Sequence, residues 1–234
     1  MQSENRRRSV SVVWLLLPIL CFISAVEAAS EITRSRSIPA GNIQSLSLQA
    51  GVGEVRIEPG TGEAIEASVT LKARRTTGLL SPLPDVSTLD MSATTRGDDL
   101  RLEVDAKNIE ENWVLRLPKK LLSAISVQLG VGDLTMTAPA KRIQIELGVG
   151  DARIDVPSGA IELTVGTGDG TINTPITNAG RVEGTTGVGG ASLQGVDAAV
   201  KGKVVGSRVS GTGRGREPIE ATVGVGDLTI TLTP

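Results

Sequence analysis

The feature that most constrains this chain is a motif that returns at nearly fixed spacing. It runs from Ile125 to Met136, Ile143 to Ile154, Ile161 to Ile172 and Ile219 to Ile230. Each copy is an alternating apolar-polar run, a Gly-x-Gly-Asp corner and a second, shorter alternating run. The first three copies begin 18 residues apart, at 125, 143 and 161. Two degenerate copies, from Val182 to Leu193 and from Val200 through Val209, fill the interval to Ile219. An earlier copy, Leu46 to Ile57, stands alone with Glu54 where the others carry aspartate. Self-similarity at such a period is the mark of a stacked-repeat architecture.

The local pattern says what each repeat becomes. Apolar residues fall two apart, so Ile125, Val127 and Leu129 share one face while Ser126 and Gln128 share the other, which is the period of a strand with one buried side. The two glycines permit a sharp corner at positive φ. Pro139, Pro157, Pro175 and Pro218 mark the opposite corners, because proline donates nothing to a ladder. One such unit buries too few aliphatic side chains to offset the entropy of ordering its backbone, so the units must stack. The expected fold is all-β: residues 119–234 form a β-solenoid of about six coils of 18 residues, roughly 4.8 Å apart. Residues 29–118 form a less regular β region. It holds the copy at 46–57, strands at 64–73, 100–104 and 113–117, and an exposed loop at 75–98. These strands are expected to join the same sheets or to cap the open end.

The first 28 residues read as an address. Arg6, Arg7 and Arg8 precede an apolar run from Val10 to Val26, and Ala28 offers a small residue for cleavage. That is the layout of a secretory signal peptide. The run is short and broken by Pro18, which fits a membrane anchor poorly, so no transmembrane span is expected after cleavage. Cys21 follows Pro18-Ile19-Leu20 rather than small residues, against lipid attachment. The chain is therefore expected outside the cytoplasm, in the periplasm or at the cell surface.

Export also restricts the chemistry. The sole cysteine, Cys21, and the sole phenylalanine, Phe22, leave with the signal, and the chain has no histidine and no tyrosine. Trp113 is then the one aromatic residue of the mature chain. Neither Ser-His-Asp nor Cys-His catalysis can be assembled, and imidazole or thiolate metal sites are excluded. The formal net charge of −2 and the lack of aromatic platforms argue against a nucleic-acid partner.

With these features the chain resembles the bacterial "putative adhesin" families of unknown function, exported proteins with adhesin-like β-solenoid domains. The likeness rests on Val114-Leu-Arg-Leu-Pro118 leading into Leu122–Val127 and on the repeated Gly-x-Gly-Asp corners, and covers about residues 40–234. It implies an architecture and brings no catalytic residue, ligand or cofactor.

Stacking in chain order would align Asp133, Asp151 and Asp169, then Gly190, Arg208 and Asp227, with Glu54 in the separate copy. Such a column invites a calcium reading, since hard cations take oxygen ligands. Yet the aspartate follows the second glycine directly and the opposite corners carry no matching Gly and Asp, unlike calcium β-rolls. The expectation is that each aspartate bonds the backbone of its own turn. Gly211 to Arg216 is not followed by the Lys-Ser/Thr pair that closes a phosphate loop; Arg208, Arg214 and Arg216 read as solvated, and Trp113 as a core anchor. No catalytic, cofactor-binding or metal residue is assigned. The function expected is a non-enzymatic module binding an unknown macromolecule of the cell envelope or surface. The alternative is a structural protein that self-associates through its last strand, Leu228–Thr233; a carboxylate-based polysaccharide enzyme ranks after both.

Overall fold

The computed structural model describes residues 30–74, 84–196, 199–202 and 206–234. The signal-peptide reading, residues 1–28, lies outside them. The described chain is all-β. Its first strands are β1 (Glu31–Pro39), β2 (Ser45–Val52), β3 (Val55–Pro59), β4 (Ala64–Ala73), β5 (Ser92–Arg96), β6 (Asp99–Glu103) and β7 (Ile109–Leu117). The regular repeats give β8 (Leu122–Val131), β9 (Leu134–Met136), β10 (Ala140–Val149), β11 (Ala152–Asp155), β12 (Ala160–Thr167) and β13 (Gly170–Pro175). Then follow β14 (Ala179–Val188), β15 (Ala191–Gln194), β16 (Ala199–Gly202), β17 (Ser207–Thr212), β18 (Glu217–Val225) and β19 (Leu228–Thr233).

These strands form two mixed sheets that do not close on themselves. One runs β1-β4-β7-β3-β9-β11-β13-β19-β15, the other β16-β17-β14-β18-β12-β10-β8-β2-β6-β5. Each repeat contributes a long strand to the second sheet and a short one to the first, with the glycine corner between. Equivalent residues pair in parallel register: Ile125, Ile143, Ile161 and Ile219 lie side by side in adjacent strands. The inward faces meet in one core, where Ile125, Val127, Leu129, Leu134 and Met136 are buried as the alternation predicts. Ile65, Ala67, Val69 and Leu71 of β4 are buried too.

The order of stacking differs from the order of the chain. The copy at 46–57 does not stand apart: β2 and β3 lie directly against β8 and β9, with Leu46 beside Ile125 and Val55 beside Leu134. The last repeat, β18–β19, inserts between β12–β13 and β14–β15. The stretch from Val200 through Val209 is not a repeat layer. It forms the antiparallel pair β16–β17, and β17 runs antiparallel to β14. The described residues form six glycine-cornered layers, five from the expected segment and one from the N-terminal region. The physical reason is that register follows the best-matched corner: the last copy keeps the full Gly-Val-Gly-Asp sequence, whereas the stretch near Arg208 lacks it. Beside Pro218 the register of β14 shifts by one residue, between Ala179 and Val182, which suits a ring that cannot donate a ladder bond.

Two further expectations are corrected. The strand Leu228–Thr233 is not an edge, because β19 is paired with β13 on one side and β15 on the other. Among the described strands the sheet edges are β1, β15, β16 and β5. Nor is 75–98 wholly an exposed loop. Residues 75–83 lie outside the described chain, but Val86 and Met91 are buried in the core and residues 92–96 form a strand. Arg34 fastens this segment to β1, its Nε donating to the Leu89 carbonyl at 2.9 Å and Nη2 to the Ser87 carbonyl at 2.6 Å. Two apolar side chains plugging the end of a core outweigh a polar composition that reads as loop.

Candidate functional site

The corners of the six layers form one continuous surface. The second glycine of each corner has positive φ, as at Gly132 (134°) and Gly150 (131°), where side chains are strained. Space excludes them as well: a Cβ on Gly150 would lie 1.9 Å from the Gly132 carbonyl oxygen. The first glycines from Gly130 onward crowd in the same way, a Cβ on Gly148 falling 2.4 Å from the Gly130 oxygen. The corners therefore carry bare backbone in two files, and the residues between and beside them stand out.

Beside the second glycine runs the acidic file, in the order Glu54, Asp133, Asp151, Asp169, Asp227, with Gly190 after it. The aspartates do not bond their own turns. Each Oδ1 accepts the backbone N–H of the next layer: Asp151 N donates to Asp133 at 3.2 Å, Asp169 N to Asp151 at 2.9 Å, Asp227 N to Asp169 at 2.8 Å and Gly190 N to Asp227 at 2.7 Å. At the other end Asn112 Oδ1 accepts from Glu54 N at 2.9 Å. The file thus ties layer to layer. Carboxylates about 4.8 Å apart still repel by about 1 kcal/mol in water. Arg208 is absent from this file; it sits in β17 opposite Thr185. Among the described residues no group of three or more His, Cys, Asp or Glu side chains is placed to hold a metal ion.

Between the two glycine files stands a row of valines. Val52, Val131, Val149, Thr167, Val225 and Val188 are successive partners across adjacent strands. Val131, Val149, Val225 and Val188 are 45%, 48%, 49% and 51% exposed, while the other large exposed apolar residue among those described is Leu121. On the other flank lies a shallow groove floored by Gly130, Gly148 and Gly166 and walled by Gln49, Gln128 and Glu146.

The sequence reading missed one residue. Glu111 is 3% exposed, at an inward position of β7 between Ile109 and Trp113. Trp113 Nε1 donates to its Oε2 at 3.0 Å and Gly51 N donates to its Oε1 at 3.3 Å. Burial pushes the carboxyl above its usual range, against the opposing pull of these two donors. An acid in the inward phase of an alternating strand was the signal available. Trp113 itself is buried as a core anchor. Arg214 lines an open cleft with Arg181, Glu183 and Ser210 at the end of the stack, and Arg181 pairs with Glu183.

Residues 27–173 match the N-terminal domain of toast_rack, DUF2154. The chain belongs to this family. Its membership agrees with the resemblance to the "putative adhesin" proteins of unknown function. A "putative cell adhesion protein" from Clostridium sporogenes has a similar fold, with a TM-score of 0.61 at 16% identity over 87% of this chain and 100% of that one. A "putative adhesin" from Bacteroides fragilis aligns at 16% identity over 87% of this chain and 97% of its own, with a TM-score of 0.29. One from Parabacteroides merdae does so at 11% identity over 88% and 97%, with a TM-score of 0.29. No curated protein matches the chain in sequence. Among the described residues no helix is long and apolar enough to cross a membrane.

Proposed function

We propose that this chain is an exported, non-enzymatic β-solenoid that binds a macromolecule of the cell envelope or surface, in the manner of an adhesin module. The observation that carries this reading is the layered presentation of one corner six times over, in register. A stack of this kind offers weak contacts in a fixed row, and a row of weak contacts binds an extended partner with useful avidity. The adhesion role named for the Clostridium sporogenes protein supports the reading by analogy of fold. The Arg6–Arg8 and Val10–Val26 pattern supports export.

Protease accessibility on intact cells carrying an epitope-tagged chain, together with retention of the purified protein on isolated envelopes, tests the reading. Surface exposure with saturable retention is the expected result. Failure of the protein to associate with any envelope fraction would sink it. A second reading, self-assembly, is favoured by β15, an edge strand among those described, rather than by β19. Sedimentation decides it, since a monomer across a wide concentration range excludes polymerisation. Release of reducing ends from cell-wall or capsular polysaccharides would overturn the non-enzymatic assignment.

A further inference from the structure

We infer that the valine row at the repeated corners is a docking surface for a basic, extended segment of another protein, one that alternates aliphatic and cationic side chains. The inference rests on the binding role proposed above and names its surface and partner. Four of the five large exposed apolar residues among those described stand in this single row. Concentrated apolar exposure marks an interaction site more often than scattered exposure does. Six positions about 4.8 Å apart make a row about 24 Å long, one side chain wide. Glycine files on both sides leave the valine methyls proud of bare backbone, so a partner chain can reach them without displacing side chains.

Charge selects the partner. Parallel to the row lie Glu54, Asp133, Asp151, Asp169 and Asp227, and the far wall of the groove holds Glu146. No Lys or Arg stands in the acidic file or lines the groove. The file repels itself, and cationic side chains laid along it would relieve that repulsion while their aliphatic neighbours covered the valines. An anionic bilayer or an acidic polymer is repelled by the same carboxylates. A sugar chain would want an aromatic face, and Trp113 is buried. A second copy of this chain is excluded by size, because so narrow a row falls short of the roughly 800 Å² per partner of a stable interface. The corner backbone is already bonded layer to layer, as Gly132 N to the Val149 carbonyl and Gly150 N to that of Thr167. Recognition must then come through side chains rather than by adding a strand.

The test is titration of the purified full chain with a synthetic peptide of four Lys-Val repeats, beside four Ser-Val repeats, oligolysine, and vesicles of neutral or anionic lipid. The Lys-Val peptide is expected to bind, to weaken as salt is raised, and to bind better than either control peptide. Replacing Val131, Val149, Val188 and Val225 together by Thr is expected to weaken it at least about tenfold. Thr is the branched isostere of an exposed Val, and the circular dichroism spectrum should be unchanged. Replacing Asp133, Asp151 and Asp169 by Asn keeps the Oδ1 acceptors of the layer ladder and should weaken binding similarly. Equal binding of oligolysine, an unaffected valine variant, binding to vesicles alone, or no binding would each overturn the inference. Retention on envelopes without peptide binding would overturn this inference and leave the broader reading standing.

Discussion

In the middle of the molecule, each corner from Gly51 to Gly190 rests on the same corner of the next layer, and parallel strands repeat residue for residue. At the two ends the chain turns antiparallel: β4 against β1 and β7 at one, β17 against β14 and β16 at the other. The middle gains its order from repetition of one geometry, with glycine where no side chain fits and aspartate where the next layer offers an N–H. The ends gain theirs from particular side chains. Val86 and Met91 plug the N-terminal end, and Arg36 pairs with Asp90 at 2.6 Å. Repetition makes a stack extensible, and the antiparallel ends stop it.

The hardest test of this contrast removes the last repeat. If β18–β19 were an end, a chain stopped at Arg216 would lose one layer and keep the rest. Its place between β13 and β15 predicts otherwise. Ile219, Val223, Leu228, Ile230 and Leu232 are buried there, a gross contribution on the order of 10 kcal/mol, as large as the net stability of a typical domain. The truncated chain should lose its cooperative thermal transition by circular dichroism. A variant that still melts cooperatively, only at lower temperature, would mean that β14–β15 can close onto β12–β13 and that the observed order is dispensable.

A smaller but sharper test compares two glycines of positive φ. Gly150→Ala forces a Cβ to 1.9 Å from a neighbouring carbonyl and should cost at least about 3 kcal/mol in urea unfolding, the sum of strain and clash. Gly97, in the turn between β5 and β6, has φ 65°, and a Cβ added there would meet no atom within 4 Å. Gly97→Ala should therefore cost only about 1 kcal/mol. Equal losses would show that conformational strain, and not the stacked backbone, governs the corners.

Much of the middle was legible because its determinants are local. The two-residue alternation identified the buried residues of β8 through β13, and the glycines identified the corners. What local pattern could not supply was which corner lies on which. Parallel stacking is indifferent to chain order, so the match between Ile161 and Ile219 competes with the nearer but poorer match between Ile161 and Val182, and the better match wins. The ends were less legible for a related reason: the burial of Val86 depends on where the core stops. The aspartates were correctly assigned to backbone hydrogen bonding but to the wrong layer, because the acceptor reaches across about 4.8 Å to the next corner.

That inter-layer bond can itself be weighed. Asp151→Ala leaves Asp169 N without its acceptor and should destabilise by about 1 kcal/mol, while Asp151→Asn retains Oδ1 and should be close to neutral. Were Asn as costly as Ala, the charge rather than the acceptor would be what the corner uses. At Glu54, which takes part in the ladder through its backbone N–H, replacing the side chain by Ala or Gln should change little.

The smallest effect lies where the middle meets the N-terminal cap. Glu111 joins the Gly51 corner to Trp113 in β7, and burial raises its pKa above the unfolded value. The folded chain then holds the Glu111 proton at pH values where the unfolded chain has released it. Stability from this group is fully present below the ordinary glutamate range and falls as pH rises through the raised value. The exposed Asp90 works in the opposite sense, since its bond with Arg36 lowers its pKa and its contribution is lost as pH falls. Glu111→Gln removes the titrating proton and keeps one acceptor for the two donors. Urea unfolding across pH 4 to 7 should therefore show the variant's deficit against the parent largest at the acid end and shrinking as pH rises. A variant that keeps the parent's slope would place the pH dependence elsewhere. The junction would then be held by Trp113 packing alone, by the same apolar means as the far side of the cap.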